Sequence, residues 1–432
     1  MSGRPLTVLI NAGPWLTVPP EGYGGIENVI ATLIPELRRR GVRVVLSTVG
    51  VSEIPVDEKI SAFRSPQFGR LTAPYNQVMG VAAAHMHHVV SELVRRDDID
   101  VVHDHLEAFG PTVLAATGDA MPPVLHTLHW DLAKHPELYA RFDGRRRVWV
   151  NGVSSAQLDR APAQLRAHSL GHVHLATPLA EKATSRPMPR KNDYLVMVAR
   201  ITAGKGQHIA ARLAQRLGKD LILAGPVGPY PSARSLDADP QAEGYPDVRY
   251  FRDEVLPHID GDRVRWIGNV TGGERDGLVA RARATLAPLC WDEPGGTSVI
   301  ESLALGTPVV GYRRGCLPEV VEPGTGLLAE PDDEAELDRL LDGLDRLDPG
   351  YCRAVAERRF SPSVMAGKYI ELYRRVLAEC RRDSATEPQP QPIGGVANDH
   401  ELLGDLNGSG AASGVAGVDG PVDRQHLAHL RR

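Results

Sequence analysis

Apolar positions recur along the first 380 residues with two alternating periods. PLTVLINAG is a nearly unbroken apolar run of strand length. IENVIATLIPELRRRG follows, with Ile26, Val29, Ile30, Leu33, Ile34 and Leu37 at helical spacing and Gly41 as a stop. VRVVLSTVG is strand-like again, so the chain opens β-α-β. The pattern continues with a helix over residues 76–96, the strands DIDVVHDH, PPVLHTLH and VWVNGVS, and the helix-like SSAQLDRAPAQLR. Strands that are apolar throughout and separated by helices predict a parallel sheet covered on both faces.

The polar, Pro-containing EKATSRPMPRKND reads as a linker, and a second series follows it. DYLVMVAR leads into a helix around HIAARLAQRLG, then come DLILAGP, RVRWIGN, the helix ERDGLVARAR, the strand ATLAPLC, the helix SVIESLALG and the strand TPVVGY. The expected fold class is therefore α/β, with two doubly wound, Rossmann-like halves. Ligands of such sheets gather at the carboxyl ends of the strands, which directs the search for a site. From residue 383 to 432 the chain turns rich in Pro, Gly, Ser and Ala, as in SATEPQPQPIGGVANDH and NGSGAASGVAGVDGPVD. Such composition buries too little apolar surface to offset chain entropy, so a disordered tail is expected.

Bulk numbers narrow the function class. At 432 residues the chain exceeds the roughly 250–300 at which one core stops growing. A formal net charge of −5 lacks the basic field that nucleic acid or an acidic membrane surface selects. The local cluster Arg38-Arg39-Arg40 closes a predicted helix, where cations complement the macrodipole. The four cysteines have no CxxC spacing, which suggests neither a zinc knuckle nor a disulfide framework and fits a reducing cytoplasm. Nothing at the start reads as a secretory signal, and no run of ~20 apolar residues occurs.

Three stretches carry candidate chemistry. VPPEGYGGIENV puts Gly22, Gly24 and Gly25 between the first strand and its helix, either as a tight turn or as an anion cradle at a helix N-terminus. VARITAGKGQH sets Arg200 and Lys205 at a strand's carboxyl edge, where they either converge on one diphosphate or stand as solvated loop cations. CWDEPGGTSVIESLALG spans a strand-to-helix crossing with Glu293 on the loop, Gly296, Thr297 and Ser298 at the helix start and Glu301 one turn in. The helix start suits a phosphate, yet Ser298-x-x-Glu301 also spells a capping box, and Glu293 by itself reads equally well as a loop carboxylate. HMHH, with His85, His87 and His88, reads as a solvated helix face rather than a metal site.

EPGGTSVIESLALGTPVVGYRRGCLPEVVEPGTGLLAEP resembles the donor-site signature of retaining glycosyltransferases of family 4: a glutamate, seven residues, a second glutamate, then GTPVV, Pro-Glu-Val-Val and a Gly-Thr-Gly-Leu-Leu turn. GYGGIENVIATLIPELRRRGVRV, DVVHDH, TLH and VARITAGKG match the same family in order. The resemblance implies a GT-B architecture of two Rossmann-like domains facing across a cleft. Residues 1–180 would form an acceptor-side domain, 181–362 a nucleotide-sugar domain, and 363–382 a helix returning to the first. It implies that Arg200 and Lys205 bind the donor diphosphate, Glu301 the ribose and Glu293 the transferred sugar, with amides of Gly296, Thr297 and Ser298 meeting phosphate and sugar. Gly24 and Gly25 would close over the phosphates, and His129 would sit near the reacting carbon, making His129 and Glu293 the catalytic pair.

The implied activity is transfer of a hexosyl or N-acetylhexosaminyl group from a nucleotide-sugar, UDP-linked in preference to GDP-linked, to a hydroxyl acceptor with retention. A small molecule or glycan is the expected acceptor, against Trp15, Tyr23, Asp104, His105 and Trp130. No metal or other cofactor is expected. An epimerase or phosphorylase of the same fold, or a nucleotide-sugar sensor without turnover, are the alternatives. Three departures stand out: Gly295 replaces a usual Phe, HVHLATPLA replaces an Asn-Gly-Val-Asp turn and has no assigned role, and Ser298-Val299-Ile300 stands in place of more aliphatic neighbours.

Overall fold

A computed structural model describes residues 4–22 and 24–386; Tyr23 and residues 387–432 of the expected tail lie outside the described residues, while 383–386, expected to be disordered, continue the last helix. The first sheet has seven parallel strands: β1 (Thr7–Asn11), β2 (Arg43–Ser47), β3 (Glu58–Ile60), β4 (Val101–Asp104), β5 (Val124–Thr127), β6 (Val148–Gly152) and β7 (Ser169–His172). Their order is β3-β2-β1-β4-β5-β6-β7. The second sheet has six: β8 (Tyr194–Val198), β9 (Asp220–Ala224), β10 (Val264–Trp266), β11 (Ala284–Ala287), β12 (Val309–Tyr312) and β13 (Gly326–Ala329). Their order is β10-β9-β8-β11-β12-β13.

In each sheet the winding reverses beside the first strand, between β1 and β4 and between β8 and β11. The helices on either side of that point diverge, leaving a crevice at the carboxyl edge. The strands that apolar patterning predicted are all present. β3, β7 and β13 were not predicted: Glu-Lys-Ile of β3 and Ser-Leu-Gly-His of β7 carry one apolar residue of note each, and Gly-Leu-Leu-Ala of β13 begins in a stretch that reads as a turn. SSAQLDRAPAQLR is two short helices, Ser155–Asp159 and Ala163–Ala167, separated around Pro162, whose missing amide hydrogen ends the first.

The chain up to Ser384 forms one compact unit. A single buried apolar cluster runs from Val8 and Ile10 of the first sheet, through Tyr369 and Tyr373, to Ile300, Leu303 and Val309 beside the second. The two tyrosines belong to the last helix, Pro362–Thr386. Tyr373 Oη lies 2.8 Å from His103 Nδ1 on β4, and Tyr369 Oη lies 3.3 Å from Thr127 Oγ1 on β5. Arg375 donates to the Leu170 carbonyl oxygen at 2.7 Å. Arg38 and Arg39 do lie in the last turn of the Gly25–Arg39 helix; beyond the dipole, Arg39 pairs with Glu36 and Arg40 donates to the Ser363 carbonyl oxygen. The basic cluster thus receives the start of the last helix.

His103 and Tyr373 are both fully buried, so removing the phenol leaves an imidazole nitrogen without its partner. The expected cost of Tyr373→Phe is about 1–3 kcal/mol, measured by chemical denaturation. A loss under about 0.5 kcal/mol would show that this bond does not anchor the helix.

Candidate functional site

In the second domain the crevice between β8 and β11 is built by two loops that touch through their backbones. After β8 the chain turns at Gly206, φ +77°, where an added Cβ would stand 2.0 Å from the Pro288 carbonyl oxygen. Only glycine permits both that φ and that approach. Cys290 N donates to Gly204 O at 2.9 Å, and Gln207 Nε2 holds the Arg200 carbonyl oxygen at 2.8 Å. A third loop, after β12, closes from the other side: Cys316 N donates to Glu293 O at 2.9 Å, and a Cβ at Gly315 would lie 2.4 Å from Glu293 N.

These constraints bring Lys205 and Glu293, 88 residues apart in sequence, into a direct ion pair. Both are mostly shielded, at 21% and 15% side-chain exposure, so the pair is stronger than a surface one. The Lys205 ammonium also lies 5.2 Å from the Trp291 ring centre. Lys205, Glu293, Gly296 and Ser298 line one pocket with Ala199 and Thr285. Arg200, next in sequence to Ala199, is exposed and does not line this pocket.

Gly296, φ +63°, is the N-cap of the Thr297–Ala304 helix, and no side chain caps it. Ser298 is therefore already inside the helix, and the capping box with Glu301 does not form. The amides of a helix's first turn have no partner within the helix, and at Thr297 and Ser298 they open on an exposed surface. Glu301 instead faces Arg275, 3.5 Å away. Burial pushes the Glu301 carboxyl above the usual carboxylate range while Arg275 pulls it down. Arg275 carried no signal in the sequence, since only the packing of one helix against the other makes it a neighbour.

Gly295 has no room for an aromatic wall. An added Cβ would meet Leu175 Cδ1 at 2.5 Å and Val153 Cγ2 at 3.4 Å, both from the first domain's side. The cleft is bridged nearby as well: Arg160 Nε lies 3.6 Å from Asp292, and Glu319 accepts from the amides of Ser155 (2.9 Å) and Ala156 (2.6 Å). Gly24 and Gly25 belong to the first domain. Gly24 is the N-cap of the Gly25–Arg39 helix, packed so that a Cβ would lie 2.6 Å from Pro20.

The first domain's crevice holds a buried polar network. Asn11 at the end of β1 donates to Asp104 Oδ1 at 2.7 Å, and the other Asp104 oxygen takes His126 Nδ1 at 2.6 Å. Asp104 is fully buried, with both oxygens engaged, so it is an internal strut and not an acceptor contact as the sequence reading had it. Gly110 lets the following helix reach it, since a Cβ there would lie 2.2 Å from Asp104 Oδ2. His85 is also corrected: it is fully buried and shares a 2.7 Å hydrogen bond with Asn11 Oδ1, because its helix packs on β1, whereas His87 is exposed.

His129, just beyond β5, places Nε2 2.8 Å from His105 Nδ1, and their rings stack. Glu107, which accepts from Tyr139 Oη at 2.8 Å, lies behind them. Of the other acceptor candidates, His105 is 1% exposed with its Nε2 unpartnered, Trp15 is partly buried, and Trp130 is exposed with Lys134 4.4 Å from its ring centre. Burial pushes the His129 imidazole down to about 3 and His85 to about 4, and lowers His103 and His105 too. For His126 burial acts in the same sense and is the largest single influence, but the Asp104 hydrogen bond and the Asp104 and Glu107 charges together outweigh it and raise the group.

Comparison with known proteins fits this architecture. Residues 180–348 match the family model for glycosyl transferases group 1, and residues 23–164 that for glycosyltransferase family 4. The chain is glycosyltransferase family 4-like, with the GT-B fold. It is 27% identical over 314 residues to a D-inositol 3-phosphate glycosyltransferase of Mycobacteroides abscessus, covering 65% of this chain and 67% of that protein. It is 27% identical over 364 residues to a 2-deoxystreptamine N-acetyl-D-glucosaminyltransferase of Streptomyces fradiae, covering 74% and 82%. Among solved structures, AviGT4, a glycosyltransferase of avilamycin A biosynthesis, superposes with a TM-score of 0.57 at 26% identity, covering 87% of this chain and 98% of that one. Among the described residues, no helix of this glycosyltransferase is long and apolar enough to cross a membrane.

The buried imidazoles make stability depend on pH. Four are held neutral in the folded chain and regain their ordinary value of about 6.5 on unfolding. Between about 6.5 and 4 the unfolded chain then binds more protons, so their stabilisation is complete above 6.5 and is lost as pH falls. His126 opposes this, one group against four. The melting temperature is expected to fall from pH 7 to pH 5, and the His129 ring resonances to stay those of neutral imidazole throughout. His129 is itself partly exposed, and a midpoint near 6.5 by NMR would contradict the desolvation its neighbours impose.

Proposed function

We propose that this glycosyltransferase moves a hexosyl or N-acetylhexosaminyl group from a UDP-linked sugar to a small polyhydroxylated acceptor, with retention of anomeric configuration. The supporting observation is the Lys205–Glu293 pair beside the open start of the Thr297–Ala304 helix, at the carboxyl edge between β8 and β11. A diphosphate there receives Lys205 and Arg200, together with the first-turn amides around Gly296, Thr297 and Ser298. Donor binding exchanges the lysine from Glu293 to phosphate and frees the glutamate for sugar hydroxyls. Glu301, farther along the helix, takes the ribose hydroxyls, and the spacing of the two glutamates is the family signature put to use. Gly24 and Gly25 approach the phosphates from the opposite domain.

The bond between anomeric carbon and phosphate oxygen breaks through an oxocarbenium-like state, with the nucleoside diphosphate taking the electron pair. Fixed cations and amides stabilise that developing charge without reorganising, which is where such a site lowers the barrier most. The acceptor oxygen attacks the same face, and its proton passes to the departing phosphate. Glu293 positions the sugar, and neutral His129 presents a ring nitrogen near the reacting carbon. No step draws on a metal. The names of two of the relatives support the acceptor class, since inositol 3-phosphate and 2-deoxystreptamine are both polyhydroxylated six-membered carbocycles; phosphatidyl-myo-inositol, named by another, carries the same ring on a lipid.

Calorimetry against a panel of UDP-, GDP- and other nucleotide-sugars tests the reading. A UDP-sugar is expected to bind best, Lys205→Ala to weaken it at least tenfold, and Glu301→Ala to weaken UDP itself. Turnover with a cyclitol acceptor is expected to give a product with the donor's anomeric configuration by NMR. Binding untouched by Lys205→Ala would remove the assignment; donor epimerisation, phosphate-dependent cleavage or binding without turnover would replace it.

A further inference from the structure

The segment His172-Val-His-Leu has no assigned role in donor binding, yet it is built into the passage between the domains, with Leu175 against Gly295. His172 ends β7 and His174 follows two residues later; in extended chain, side chains two apart share a face. Their rings lie 4.7 Å apart, centre to centre. Facing them is Glu319, in the short Leu317–Val320 helix of the second domain. Glu319 Oε2 is 3.1 Å from His174 Nε2 and 3.9 Å from His172 Nε2, and the three ligand atoms fall within 4.8 Å of one another.

We propose that His172, His174 and Glu319 bind a divalent transition cation of the zinc class, bridging the two domains. Ligands held about 2.0–2.1 Å from a tetrahedral zinc stand about 3.3 Å from one another, so the observed separations bracket the required geometry and modest ring rotations complete it. Two imidazoles and a carboxylate suit zinc and its neighbours better than magnesium or calcium, which prefer all-oxygen shells. The carboxylate is already aimed: Ser155 N and Ala156 N hold its two oxygens, as outer partners do in metal sites. Side-chain exposures of 30%, 11% and 18% leave the groups reachable by an ion and a fourth position open to water. The other charges facing His172, Asp159 and Lys368, oppose one another. Because two ligands come from the segment leaving the first sheet and one from the second domain, occupancy would tie the domains together.

The inference does not depend on the donor reading, and nucleotide titrations report on that separately. The full chain, stripped with chelator, is titrated with zinc chloride by calorimetry and with cobalt chloride by visible absorption. One saturable site with micromolar or tighter affinity is expected, together with the intense ligand-field bands of four-coordinate cobalt. Both signals should disappear in His172→Ala and in His174→Ala, with circular dichroism unchanged, and affinity should fall at least tenfold in Glu319→Gln. Zinc held elsewhere, by cysteines or other histidines, cancels in the difference between wild type and His172→Ala/His174→Ala. No saturable binding by the wild type, or binding retained in that double variant, overturns the proposal.

Discussion

The second domain's site depends on the close passage of two loops at Gly206 and Pro288. Side chains at strand ends have no reason to meet unless the loops that carry them are fixed, and a backbone approach that excludes any Cβ fixes them within tenths of an ångström. Cys290 N to Gly204 O and Cys316 N to Glu293 O repeat that logic on either side. Lys205 and Glu293 then pair as a consequence. Their pairing also keeps two charged groups from facing a low-polarity pocket alone, which would be costly for either one.

The first domain solves the reverse problem. Its crevice is filled by the molecule's own polar groups, with Asn11, Asp104 and His126 joined in one buried chain and His103 and Thr127 continuing to Tyr373 and Tyr369. Such networks stabilise only when most members are satisfied, and they then specify one arrangement. Here the arrangement includes the last helix, which comes from the far end of the chain in sequence. His105 and His126 each keep one nitrogen without a hydrogen-bond partner among the described residues, with Glu107 4.0 Å from His126 Nε2.

Between the two crevices the domains meet through small residues and a few directed bonds. Gly295 lies against Leu175, Asp292 reaches Arg160, and Glu319 holds the amides of Ser155 and Ala156. The absent aromatic at 295 is thus accounted for by what occupies its place: the segment following His174 supplies an aliphatic side chain there.

Apolar spacing along the chain was enough to dictate the alternation of strands and helices, the parallel sheets and the strand ends where chemistry would gather. Those follow from the local period of apolar residues, which burial on both faces enforces. The sequence motifs also singled out Lys205, Glu293 and the turn at Gly296. What the sequence left open were choices made by distant packing. Ser298 had a capping role available, but the helix starts at Gly296 and Glu301 turns to Arg275. Asp104 stood at a ligand-facing edge, but Asn11 and His126 claim both its oxygens. His85 had the spelling of a solvated face, but its helix lies on β1. Spacing along a chain fixes which residues share an element's edge; which of them meet each other and which meet solvent is decided when separate elements pack.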